Sequence, residues 1–113
     1  MLLLSLCLVL AAGTIGGALA VRWQPTVGAL HGLCGAAALA ALILTLGGPP
    51  RGVAMGVSSF GRIAAGLLGT ALLVGLGIVA IRLRTRRVPA FVIGLHATIA
   101  IGGIVMLAAY TLV

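Results

Sequence analysis

Four long stretches carry apolar side chains at nearly every position, with no polar stripe at helical spacing to interrupt them. They run from Leu2 to Val21, Val27 to Leu46, Ile63 to Ile81 and Val88 to Leu112. About 20 such residues cover a hydrocarbon core of about 30 Å as an α-helix, so each stretch is predicted to span a bilayer once. Polar and helix-breaking residues fall between them. In Arg22-Trp23-Gln24-Pro25-Thr26 the proline ends one helix and opens the next, and the tryptophan suits the headgroup zone. Gly47 to Arg62, with Pro49-Pro50 and Ser58-Ser59, reads as a longer loop. Arg82-Leu83-Arg84-Thr85-Arg86-Arg87 is short and basic, and Pro89 follows at the first turn of the fourth helix. The predicted layout is an all-α integral membrane four-helix bundle made of two tandem hairpins, residues 1–46 and 63–113, joined by the 47–62 loop.

Composition removes the soluble alternative. Hydrophobic residues make up 63% and charged residues 6% of the chain, whereas a soluble domain has roughly a quarter of its residues charged. All seven charged residues are arginines, with no aspartate or glutamate. Carboxylate-dependent chemistry is therefore excluded: proton relays, two-carboxylate hydrolysis, calcium sites and intramembrane salt bridges. The arginines sit at the ends of apolar runs and not along a polar face, so they suit membrane orientation and lipid phosphate, and no nucleic-acid partner is expected. No nucleotide-binding loop and no nucleophile beside a base are present, so no catalytic residues are assigned and the chain is not expected to be an enzyme in its own right. Cys7 and Cys34 lie in different apolar runs and suit small buried residues.

The placement of arginines also sets an orientation. The first and third connections together hold Arg22, Arg82, Arg84, Arg86 and Arg87, against Arg51 and Arg62 in the middle loop. Cytoplasmic loops carry the basic excess, so both termini are expected in the periplasm of a multi-pass protein of the bacterial inner membrane. Ala18-Leu19-Ala20 is similar to a signal-peptide cleavage site, but no basic residue precedes the apolar run and its length suffices to span, which favours a retained helix.

The two halves look alike. Val27-Gly28-Ala29-Leu30-His31 matches Val92-Ile93-Gly94-Leu95-His96 at an offset of 65 residues. Ala20-Val21-Arg22 matches Ala80-Ile81-Arg82, and Pro25 matches Pro89, once the second turn is allowed five extra residues. Each half contains two crossings, so the second copy re-enters the membrane in the same direction as the first, giving a parallel repeat. His31 and His96 are then expected at one depth, near the basic rim, on helices related by a pseudo-twofold axis, where they can face each other.

An ionisable residue within a membrane span marks a candidate site. Two facing imidazoles suit the axial ligation of one b-type haem, with His31 and His96 as ligands to its iron. At i+4 and i+7 from each histidine lie Gly35 and Ala38, and Ala100 and Gly103, all small enough to admit a flat macrocycle. Arg22, Arg82 and Arg84 lie where propionates need neutralising. Candidate cofactor-binding residues are thus His31, His96, Gly35, Ala100, Arg22 and Arg82. A second role is open: small residues also serve close helix packing, as at Gly13 with Gly17 and Gly28 with Gly32, and neutral imidazole hydrogen-bonds across helices. A pigment or quinone contact is a third. Zinc held by two histidines alone is an incomplete site.

The pattern of basic turn, proline and helix with an early histidine, carried by Arg22, Pro25, His31 and Gly32 and again by Arg82, Pro89 and His96, resembles small bacterial four-helix membrane proteins. More loosely it resembles the b-type cytochrome membrane subunits, but it lacks the second histidine pair of the two-haem forms. Because the apolar runs leave no extramembrane domain and no catalytic parts, the chain is expected to work through partners, as an accessory subunit of a bioenergetic membrane complex that packs helices or carries one haem b between partners. A self-contained haem b electron carrier, and a haem-free packing or oligomeric protein, are the alternatives. The expected partners are membrane lipids and other integral subunits or further copies of this chain.

Overall fold

The computed structural model describes residues 1–113 as four α-helices: α1 (Leu2–Val21), α2 (Pro25–Leu46), α3 (Phe60–Thr85) and α4 (Ala90–Thr111). There is no strand, and all four helices are long and apolar enough to cross a membrane. Helix α2 begins at Pro25, two residues before its apolar run, because proline at the first helical position gives up only a backbone donor that has no partner there. Helix α3 continues past its apolar run through Arg82 and Arg84. Arginine is a good helix former, and positive charge is favourable at the carbonyl end of a helix. It stops where Arg86 turns into the left-handed region at φ 60°.

The connection between α2 and α3 holds one 3₁₀ turn, Val53–Met55, between two glycines at positive φ, Gly52 at 66° and Gly56 at 70°. A side chain on Gly52 would be strained by that backbone angle, and it would also press on Val113 at 2.9 Å. The loop is thereby laid against the last residue of the chain.

Helix α1 packs along α2 and α3 along α4, and the two pairs meet through α2 with α3 and α1 with α4. Neighbouring helices are antiparallel, and the backbones of the diagonal pairs do not approach each other. The buried core gathers at one end, where α1 and α3 begin and α2 and α4 finish. Leu42 and Leu107 are fully buried there, with Leu2, Val9, Ala38, Ala64, Leu68 and Tyr110 around them. The hydroxyl of Ser5 donates to the Ala38 carbonyl at 2.7 Å, which satisfies the polar group buried in this layer. Two glycines let the helices approach. A Cβ on Gly61 would lie 2.7 Å from both Leu46 and Tyr110, and one on Gly103 would lie 2.8 Å from Leu68.

Buried positions recur at fixed offsets. Leu2, Ser5, Val9 and Ala12 of α1 stand to Gly61, Ala64, Leu68 and Ala71 of α3 as positions 59 residues apart, and Ala38 and Leu42 of α2 to Gly103 and Leu107 of α4 as positions 65 apart. Only 14 of 113 residues are buried. Large apolar side chains such as Leu3, Leu33, Leu73 and Leu95 are exposed on every helix, so the outer surface is strongly apolar.

Gly103→Val is expected to lower stability by about 1–3 kcal/mol, because the inserted methyls must displace Leu68 in a closely packed layer. Gly94→Ala, at an exposed position with nothing within 4 Å, should be near neutral. Unfolding in mixed micelles with increasing dodecyl sulfate checks both.

Candidate functional site

The end of the bundle opposite the core, where the basic turns lie, is not closed by side chains. A cavity of about 320 Å³ opens there, walled by α1, α3 and α4, with α2 contributing Gly28 and His31. Small residues make the space: Gly13, Gly16 and Gly17 on α1 and Gly75 on α3.

Each histidine is the seventh residue of its helix, and each is held by the helix before it in its own hairpin. His31 Nδ1 lies 2.8 Å from the Ala12 carbonyl and His96 Nδ1 lies 2.9 Å from the Ala71 carbonyl. In an α-helix the side chain at i+4 stands over the carbonyl of residue i. The residues four beyond Ala12 and Ala71 are Gly16 and Gly75, so both carbonyls are uncovered and each can use its second lone pair. The imidazole fills the space left by the missing side chain: a Cβ on Gly16 would lie 3.0 Å from His31 Cε1, and one on Gly75 would lie 3.1 Å from His96 Cε1.

A carbonyl can only accept, so Nδ1 of each ring carries the hydrogen and donates it. In the neutral form, the remaining lone pair of each ring is then on Nε2. Neither Nε2 has a protein partner and neither is sealed from solvent-sized probes, and both histidines line the cavity. Anchoring of one ring nitrogen by a carbonyl is the usual support for a metal-ligating histidine. The two ring centroids are 5.9 Å apart with planes at 69°, across the bundle diagonal where the α2 and α4 backbones do not approach. Two metal–nitrogen bonds of about 2 Å each, together with the two ring radii, total about 6 Å. No cluster of three or more metal-binding side chains exists.

Of the residues singled out in the sequence, His31, His96, Ala100 and Arg82 wall this cavity, whereas Arg22 and Gly35 do not. Arg22 is displaced by register. Pairing Ala20-Val21-Arg22 with Ala80-Ile81-Arg82 implies an offset of 60, but the two histidine supports and the buried positions place α1 and α3 at 59. Arg22 is the extended cap residue after α1 and is exposed, and Trp23, in the turn that follows, is the position 59 residues before Arg82. Gly35 is half-buried on a helix that offers the cavity little more than its histidine. Ala38 and Gly103 lie in the packed core and not beside the ligand space. Gly28 is not a helix contact: it receives the Trp23 ring, whose Cη2 would be 2.8 Å from a Cβ there.

Sequence reasoning missed Gly16, Gly75 and Trp23. The signal for the glycines was their shared 59-residue offset, visible only once the repeat is aligned on α1 and not on the arginines. Comparison with protein-family models, curated proteins and solved structures returns no significant match to this chain.

Gly16→Ala and Gly75→Ala are each expected to push the adjacent imidazole away from its carbonyl by a few tenths of an ångström. Nitrogen-15 NMR of histidine-labelled protein should show two Nδ1–H neutral rings in the wild type, and in each variant a change confined to the ring beside the new methyl. Unchanged spectra would show that the glycines do not set the ring positions.

Proposed function

We propose that this chain is a small multi-pass protein of the bacterial inner membrane, built from two duplicated hairpins, that holds one haem b between His31 and His96. In this reading it acts as an accessory, electron-carrying subunit of a larger membrane complex. The observation that carries the reading is the pair of Nε2 atoms, each without a protein partner because Nδ1 bonds a carbonyl, on rings whose centroids lie 5.9 Å apart. The repeat is supported by the matching supports, Ala12 with Gly16 and Ala71 with Gly75, and by the recurring buried positions. His31 and His96 would hold the haem iron, which would supply one-electron transfer chemistry. The protein's own part is to fix both ring orientations and to hold an apolar slot open beside them. The basic turns lie in the cytoplasm and both termini in the periplasm, on the arginine bias.

A haem-free packing role is favoured by one observation, that each imidazole already bonds a neighbouring helix. The two readings separate cleanly. Protein purified in mild detergent from haem-sufficient cells should show the Soret and split α/β bands of low-spin haem, lost in His31→Ala and equally in His96→Ala. A colourless wild-type protein would leave only the packing role. For the topology, alkaline phosphatase fused after Val113 should be active, while fusions within the Arg82–Arg87 turn should be inactive; the reverse pattern would overturn the orientation.

A further inference from the structure

Of the seven arginines, six are exposed, and Arg82 alone is drawn into the bundle. It is the one cationic side chain in the wall of the two-histidine cavity. Its guanidinium carbon lies 4.5 Å from the centroid of the Trp23 ring, and that ring is itself seated in the notch of Gly28. The aromatic face offsets part of the cost of withdrawing the charge from water. It accepts no conventional hydrogen bond from Nε–H, and Arg82 Nε is the one buried side-chain nitrogen or oxygen that has no partner. The chain contains no aspartate or glutamate, so no acidic side chain can supply the missing acceptor. Nε itself is sealed, whereas the terminal Nη groups are not and have no protein acceptor, so the acceptor that a half-buried guanidinium calls for is expected from outside, through Nη.

The cavity indicates what brings that acceptor. Gly13 and Gly17 of α1 and Ala97 and Ile101 of α4 line it and are also exposed, so its side between these two helices opens on the surface that faces hydrocarbon. An occupant entering there has an apolar body, and its polar end reaches the rim where Arg82 stands. The geometry points to Arg82, braced by Trp23, as the seat of an anionic headgroup, phosphate or carboxylate, on an amphiphile lodged in the cavity. This rests on the membrane-spanning reading but not on haem: a lipid phosphate and a porphyrin propionate present the same chemistry to a guanidinium. The pseudo-equivalent place in the first hairpin holds Trp23, so the cavity has one such seat and not two.

Trp23 is the only tryptophan, so its fluorescence reports the seat directly. The full chain in dodecyl maltoside is titrated with two matched probe pairs: dodecyl phosphate against dodecylphosphocholine, and protoporphyrin IX against its dimethyl ester. At least one acidic probe is expected to act at about tenfold lower concentration than its partner, the worth of one charge-assisted hydrogen bond. Arg82→Gln should remove that preference, Arg82→Lys should keep part of it, and Arg84→Gln, at an exposed site, should leave it intact. A preference for dodecyl phosphate alone assigns the seat to lipid phosphate and removes support for haem while the seat stands; a preference for the porphyrin diacid alone assigns it to propionate. Equal action of acidic and masked probes on the wild type, a comparison that needs no variant, overturns the proposal. So does a preference that survives in Arg82→Gln.

Discussion

Each imidazole is fixed by donating a hydrogen bond from Nδ1 to a helical carbonyl that a glycine has left uncovered, at Ala12 beside Gly16 and at Ala71 beside Gly75. The geometry of the site follows from that bond. It sets the tautomer, so that Nε2 is the free nitrogen, and it sets the ring position, so that the two imidazoles meet across a diagonal that the helix backbones do not bridge. It also ties each hairpin together near its turn, where few large side chains are available to do so. In an apolar surrounding, a histidine without such a partner would be costly.

The bundle has two unlike ends. At one, leucines, Tyr110 and Ser5 fill the interior, and glycines let helices close onto them. At the other, Gly16 and Gly75 receive the two imidazoles, and a cavity lies beside the rings with Gly13 and Gly17 in its outer wall. Glycine thus admits leucine and tyrosine at one end and imidazole at the other. The packed end keeps the four helices in register while the open end stays available.

The near-symmetry of the halves breaks at the rim. Equivalent positions hold Trp23 in one hairpin and Arg82 in the other, and these two side chains stack on each other instead of each serving its own copy. This contact was not legible in the sequence, where Arg22 is the natural counterpart of Arg82. A one-residue difference in register is invisible in apolar helices that match at several alignments, and α1 ends before Arg22 whereas α3 continues through Arg82, so like sequence positions have unlike backbone at the rim.

What the sequence determined by itself is the part that depends on local composition: four long apolar helices, their order, the turns between them, the absence of acidic residues, and two histidines at like positions in like helices. Apolar length and proline placement act over a few residues and can be read along the chain. The tertiary structure alone decided which glycines face a histidine and which pack against leucine, that Gly35 and Arg22 stand outside the cavity, and that Arg82 is turned inward with an unmet donor. Those outcomes depend on the rotation of each helix about its axis. Helices apolar round their whole circumference carry no stripe to announce that rotation, so packing against neighbours settles it.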